Sequence, residues 1–147
     1  MVNYVGLFFE GEDLDKILLS DKRKLDRIND VIHCTFEYKP KEFSKYNDII
    51  GKEFVITLVG YANDNINSGF VVLLDDEVKK YYRNVDPETG FVIPHITSTL
   101  SNDADASDTS NLNFELLDMP VIVKGKFGYY IKDDNGKAYV SYEKYSV

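Results

Sequence analysis

The 147-residue chain contains a single cysteine, Cys34, and only two histidines, His33 and His95. One cysteine excludes an internal disulfide and fits a reducing cytoplasm. Two histidines and one cysteine are also too few soft ligands for a structural zinc site. Cations are scarce: 17 lysines and arginines stand against 25 acids, a net charge of −8. A groove that tracks the phosphates of a long duplex needs a basic surface, so any nucleic-acid partner is small or engaged at one end. Acidity alone does no more than keep a chain soluble. No apolar run approaches the length of a membrane span. The stretch "MVNYVGLFFEGEDL" carries no positive charge ahead of its apolar residues and reads as a strand, not a signal peptide. Glycine motifs that cradle phosphates, of the Walker or dinucleotide type, are missing. "DADASD" (Asp103–Asp108) puts Asp108 where a calcium loop needs glycine and Phe114 where it needs its closing acid. No metal and no cofactor are expected.

What is present suits one soluble globular domain: 44% apolar and 29% charged residues in a chain long enough for one sizeable core. Asn3–Glu10 is apolar and β-rich. Asp13 could cap a following helix, in which Leu14, Ile17, Leu18, Leu25 and Ile28 recur at roughly helical spacing. A strand holding His33 ends before Pro40, and Lys52–Ala62 reads as another. A turn at "NDNINSG" leads to a strand from Phe70 to Leu74 and a short helix opened by Asp75 and Asp76. The strand holding His95 follows, then a polar loop, Ser101–Asn111. The tail reads as a ribbon turned at Asp134–Gly136. The order contains a duplication, roughly 2–62 and 69–147: apolar strand, acidic corner, helix, then a strand bearing His-x-Thr. Tyr4 and Phe70 open the two units.

Both histidines are followed two places later by threonine, in "VIHCTFEY" and "VIPHITST". With six threonines in the chain, chance alone does this about twice in a thousand sequences. Side chains at i and i+2 of a strand share a face, so His33 projects with Thr35 and His95 with Thr97, while Cys34 and Ile96 turn inward. Two similar units packed about a pseudo-twofold axis would bring both pairs into one cleft. Two imidazoles can divide a phosphodiester cleavage, one taking a proton from the nucleophile and one giving a proton to the leaving oxygen. Threonine hydroxyls would steady the non-bridging oxygens. The plainer alternative, two strand histidines with ordinary hydrogen bonds, is open at this stage. Among 11 tyrosines and nine phenylalanines, Tyr4, Phe127, Tyr129 and Tyr130 are candidates to stack on a base. Lys124 and Lys126 are candidates to assist phosphate binding.

Paired "HCTF" and "HITS" in a duplicated strand-helix-strand layout resemble the two-histidine (2H) phosphoesterase superfamily, from Tyr4 to about Tyr130. Phe36 matches the apolar residue usual after the motif; Ser98 departs from it. "PHITSTLSNDADASDTSNL" with "KGKFGYYI" looks most like the phosphodiesterase modules of tRNA ligases and related RNA-repair proteins. The resemblance implies a bilobal, LigT-like α+β fold, with antiparallel strands lining a central cleft and helices outside. It implies metal-independent hydrolysis of a 2′,3′-cyclic phosphate, a 2′–5′ linkage or a cyclic oligonucleotide signal. His33 and His95 would be the acid–base pair, and Thr35 and Thr97 the phosphate holders. A compact stand-alone version is what a virus would carry to destroy a nucleotide alarm signal. A module that captures a nucleotide without turning it over, and an interaction domain with incidental histidines, are the competing classes.

Overall fold

Along β4 (Glu53–Asn63) every second side chain is buried, the mark of a strand with one face on a core and one on solvent. A computed structural model describes residues 1–106 and 113–144. The remaining strands are β1 (Val2–Phe8), β2 (Arg27–Ile28), β3 (His33–Tyr38), β5 (Asn67–Leu74), β6 (Val85–Asp86), β7 (Gly90–Phe91), β8 (His95–Leu100), β9 (Glu115–Lys132) and β10 (Ala138–Ser141). Two helices, α1 (Gly11–Ser20) and α2 (Asp76–Lys79), complete a strand-rich α+β fold. Eight strands form one sheet in the order β2-β8-β5-β4-β9-β1-β3, with β10 added to β9; β6 and β7 pair separately. Every strand pairing among the described residues is antiparallel. No helix there is long and apolar enough to cross a membrane.

The long strand β9 pairs with β4 through Glu115–Lys126 and with β1 through Lys126–Ile131, so one strand spans both parts of the sheet. The core lies on the inward faces: Val5 and Leu7 of β1, Cys34 and Phe36 of β3, Phe70, Ile96, Phe127 and Tyr129. Ile17 of α1 and Tyr46, in a short 3₁₀ turn, close over it. β3 and β8 belong to distant parts of the strand order yet lie against each other, because the sheet curls. The main-chain N–H of His95 reaches the buried sulfur of Cys34 across that seam.

Several sequence expectations change. The first helix stops at Ser20, so Leu25 and Ile28, which continue its spacing, fall outside it; Ile28 ends β2. The N-cap position is Glu10, not Asp13. Gly11 follows at φ +60°, the left-handed region that favours glycine. Asp13 instead accepts the main-chain N–H of Lys124 at 2.8 Å and ties α1 to β9. The second unit's first strand begins at Asn67, three residues before Phe70. Of the polar loop, positions 107–112 lie outside the described residues, as do 145–147 at the end of the ribbon, and with them part of the Asp103–Asp108 stretch.

Candidate active site

The register of the sheet aligns the two units differently from the sequence pattern. His33, Cys34 and Thr35 lie opposite Phe8, Leu7 and Gly6; His95, Ile96 and Thr97 lie opposite Val71, Phe70 and Gly69. Each threonine therefore faces a glycine, and Gly6 matches Gly69 where apolar pattern alone matched Tyr4 with Phe70. A β-bulge follows each motif at the same place. Phe36 and Ser98, directly after their threonines, are the extra residues between consecutive pairings. The bulge locates the departure at Ser98: Phe36 sits among Tyr82 and Phe127, whereas Ser98 lies between Thr97 and Thr99 in a polar interior. There the carboxylate of Asp21, 2% exposed, accepts hydrogen bonds from Tyr61, from Ser68 at 2.6 Å and from Thr99 at 3.2 Å. Burial pushes that carboxyl up, but the hydrogen bonds from Ser68 and Tyr61 outweigh it and hold Asp21 below the usual carboxylate range.

Matched hydrogen bonds hold the two motifs. Phe9 N–H donates to the Ile32 carbonyl and Val72 N–H to the Pro94 carbonyl, just ahead of each histidine. The bulged residues are held crosswise: Asn29 N–H, after α1, donates to Ser98, and Arg83 N–H, after α2, donates to Phe36, each at 2.9 Å. His33 Nδ1 lies 2.7 Å from the Val31 carbonyl, and His95 Nδ1 2.8 Å from the Ile93 carbonyl. A carbonyl only accepts, so both Nδ1 atoms carry hydrogen and both Nε2 atoms keep the lone pair in the neutral ring.

Both imidazoles and both threonines line a single cavity of about 350 Å³, together with Asn3, Tyr4, Tyr38, Asp105 and Ala106. Tyr4 stacks on His33 at 4.4 Å between ring centres, and its hydroxyl lies 3.2 Å from His33 Nδ1. Thr97 donates to the Ala106 carbonyl at 3.1 Å. Thr35 has no hydrogen-bond partner for its hydroxyl among the described residues, so that group faces the cavity unengaged. Burial drives His33 down to about 4, against an opposing pull from the Val31 carbonyl and with further lowering from His95. Burial also lowers His95. No lysine or arginine lines the cavity among the described residues.

Other candidates fall elsewhere. Phe127 and Tyr129 alternate onto the inner face of β9 and are essentially unexposed, so neither reaches the cavity. Tyr130, on the opposite face, stacks on Tyr4 at 4.8 Å without lining the cavity. Lys124 pairs with Glu53 at 3.1 Å and, with Lys126, lines a separate hollow beside Glu10 and Asp13. Cys34 is wholly buried, which pushes its thiol up to about 12. Tyr38 is a cavity residue the sequence pattern misses. Strict alternation from Thr35 sends it to the far side, but the bulge at Phe36 turns it back. Asn3, Asp105 and Ala106 gave no signal in sequence. No group of three His, Cys, Asp or Glu side chains suited to a metal occurs among the described residues. Neither a family model nor a curated protein matches the chain.

Proposed function

We propose that this chain is a two-histidine phosphodiesterase, opening a cyclic or 2′-linked phosphodiester in a nucleotide or at an RNA end without a metal. The bilobal arrangement of the 2H phosphoesterases belongs to the same reading. The observation that carries it is the convergence of His33, Thr35, His95 and Thr97 on one cavity, with each Nδ1 committed to a carbonyl of its own chain. That bond fixes the ring and leaves Nε2 for proton transfer. One neutral imidazole takes a proton from the attacking water as its oxygen bonds to phosphorus. The other, protonated, gives its proton to the oxygen whose bond to phosphorus breaks. The products are a phosphomonoester and a free hydroxyl. Thr35 donates to a non-bridging oxygen as charge grows, and Thr97 lines the same cavity. Tyr38, half-exposed, offers a ring face to a base or sugar, while Tyr4, stacked on His33 and on Tyr130, steadies the imidazole.

A second reading, capture without turnover, draws on the depressed histidines. With both imidazoles neutral near pH 7, the empty site holds no proton for the leaving oxygen. An arriving phosphate anion favours the charged form of the nearer ring and restores one. Incubation in EDTA with cyclic mononucleotides, cyclic oligonucleotides and cyclic-phosphate-ended RNAs, followed by chromatography, separates the readings. Product from at least one class is expected. Stoichiometric binding with no product would establish capture, and activity that vanishes with EDTA would remove the two-histidine mechanism.

A further inference from the structure

Away from the histidine cavity, a hollow of about 280 Å³ is lined by Lys45, Tyr46, Lys80, Tyr81 and Arg83. Three cations line one depression, with no acid among its described lining residues, a sharp concentration of charge in a chain of net −8. Lys45 is partly neutralised by Glu37 at 3.0 Å. Glu37 also accepts the Tyr46 hydroxyl at 2.5 Å, which fixes that wall. Lys80 and Arg83 have no carboxylate partner among the described residues. Lys80 Nζ rests 5.4 Å from the Tyr81 ring centre. Arg83 Nη1 donates to the carbonyls of Lys80 and Tyr82, at 2.7 and 2.9 Å, so the planar fork is set before any ligand arrives. Its other N–H groups remain for an anion.

The hollow is joined to the candidate active site through one strand. Arg83 N–H holds the carbonyl of Phe36, the bulged residue next to Thr35, and Glu37 follows on the same strand. Glu37 pairs with Lys45 of the hollow and the next residue, Tyr38, lines the cavity, so hollow and cavity flank adjacent residues of β3 on its two faces. At 53% exposure Tyr38 leaves its part of the cavity wall open to solvent. Among the described residues no lysine or arginine lines the cavity, so the hollow supplies cations for a phosphate chain that the cavity lacks.

We propose that the hollow holds a second phosphate of the substrate strand, which makes the preferred substrate an oligonucleotide and not a mononucleotide. This rests on the phosphodiesterase reading of the cavity, and a binding measurement tests it independently of turnover. Fluorescence anisotropy with an end-labelled hexaribonucleotide bearing a 3′-phosphate gives one affinity; competition by a nucleoside 3′-phosphate gives the other. Lys80→Glu should reduce the preference for the hexanucleotide about tenfold at low salt. It should also flatten the dependence of log affinity on log salt by about 0.7 for each phosphate no longer neutralised. Arg83→Ala should act in the same direction. Lys137→Glu, the same charge change in the turn before β10, should leave the preference intact. A hexanucleotide preference unchanged by Lys80→Glu, an equal loss with Lys137→Glu, or no preference in the unaltered protein would each overturn the proposal. Saturation of the hollow by inorganic phosphate with no effect on hexanucleotide affinity would assign it to a free anion instead, which also overturns it. A hexanucleotide preference that depends on Lys80, in a protein that cleaves nothing, would sustain the hollow and remove the phosphodiesterase.

Discussion

His33 and His95 are half-buried, and desolvation makes both resist charging, yet each donates Nδ1–H to a carbonyl that helps it charge. Burial is the larger effect for both. From sequence alone the two limbs of a pH–rate profile would sit near neutrality; desolvation moves both limbs lower. The kcat/KM profile should be bell-shaped with its optimum below about pH 6.5, and a plateau extending to pH 8 or above would contradict the paired-imidazole mechanism. On the two-histidine reading, alanine at either histidine should reduce kcat about 10²–10⁴-fold, with the double variant little worse, because groups acting as a unit are strongly non-additive. The same burial acts on stability. His33 binds its proton less readily folded, at about 4, than unfolded, at the ordinary 6.5. As pH falls, the unfolded chain is therefore protonated first. The stabilisation is complete above pH 6.5 and is lost as pH falls through about 4. Urea unfolding at pH 7, 5 and 4 should show this decline, and His33→Gln should make it shallower.

Strands, not isolated residues, place the site, and their legibility in the sequence was uneven. Alternation sufficed for His33 with Thr35 and for His95 with Thr97, because i and i+2 are related by local geometry. It failed at Tyr38 because a bulge depends on the partner strand, here the step from Val5 to Gly6. It also failed to sort Phe127 and Tyr129 from Tyr130, since an aromatic run on β9 does not say which face meets the core. Leu25 and Ile28 kept a helical spacing by composition, although the chain has already left α1 for β2. Gly6 makes the cost of the bulge measurable. A Cβ there would lie 2.1 Å from the Cys34 carbonyl oxygen, a backbone atom that cannot rotate away. Gly6→Ala should destabilise the fold by at least about 2 kcal/mol, as overpacking does. It should also lower kcat through displacement of Thr35. A melting temperature within about 2 °C of the parent would mean that β1 and β3 separate freely.

At the scale of the whole molecule, an acidic chain gathers cations in a hollow flanking the strand that carries its first His-x-Thr motif, and a curled sheet brings its distant strands β3 and β8 together. The crossed bonds from Asn29 to Ser98 and from Arg83 to Phe36 have a consequence for ancestry. Each half supplies the main-chain donor that the other half's motif requires, and β9, from the second half, joins β1 to β4 of the first. A lone half would meet those needs only from a second copy of itself, so the present chain has the form of a tethered pair of exchanged partners. Cut in the turn between β4 and β5, fragments 1–64 and 65–147 should each be unfolded alone. Mixed, they should regain the circular dichroism and cooperative melting of the intact chain; a fragment that folds unaided would show the exchange to be ornamental.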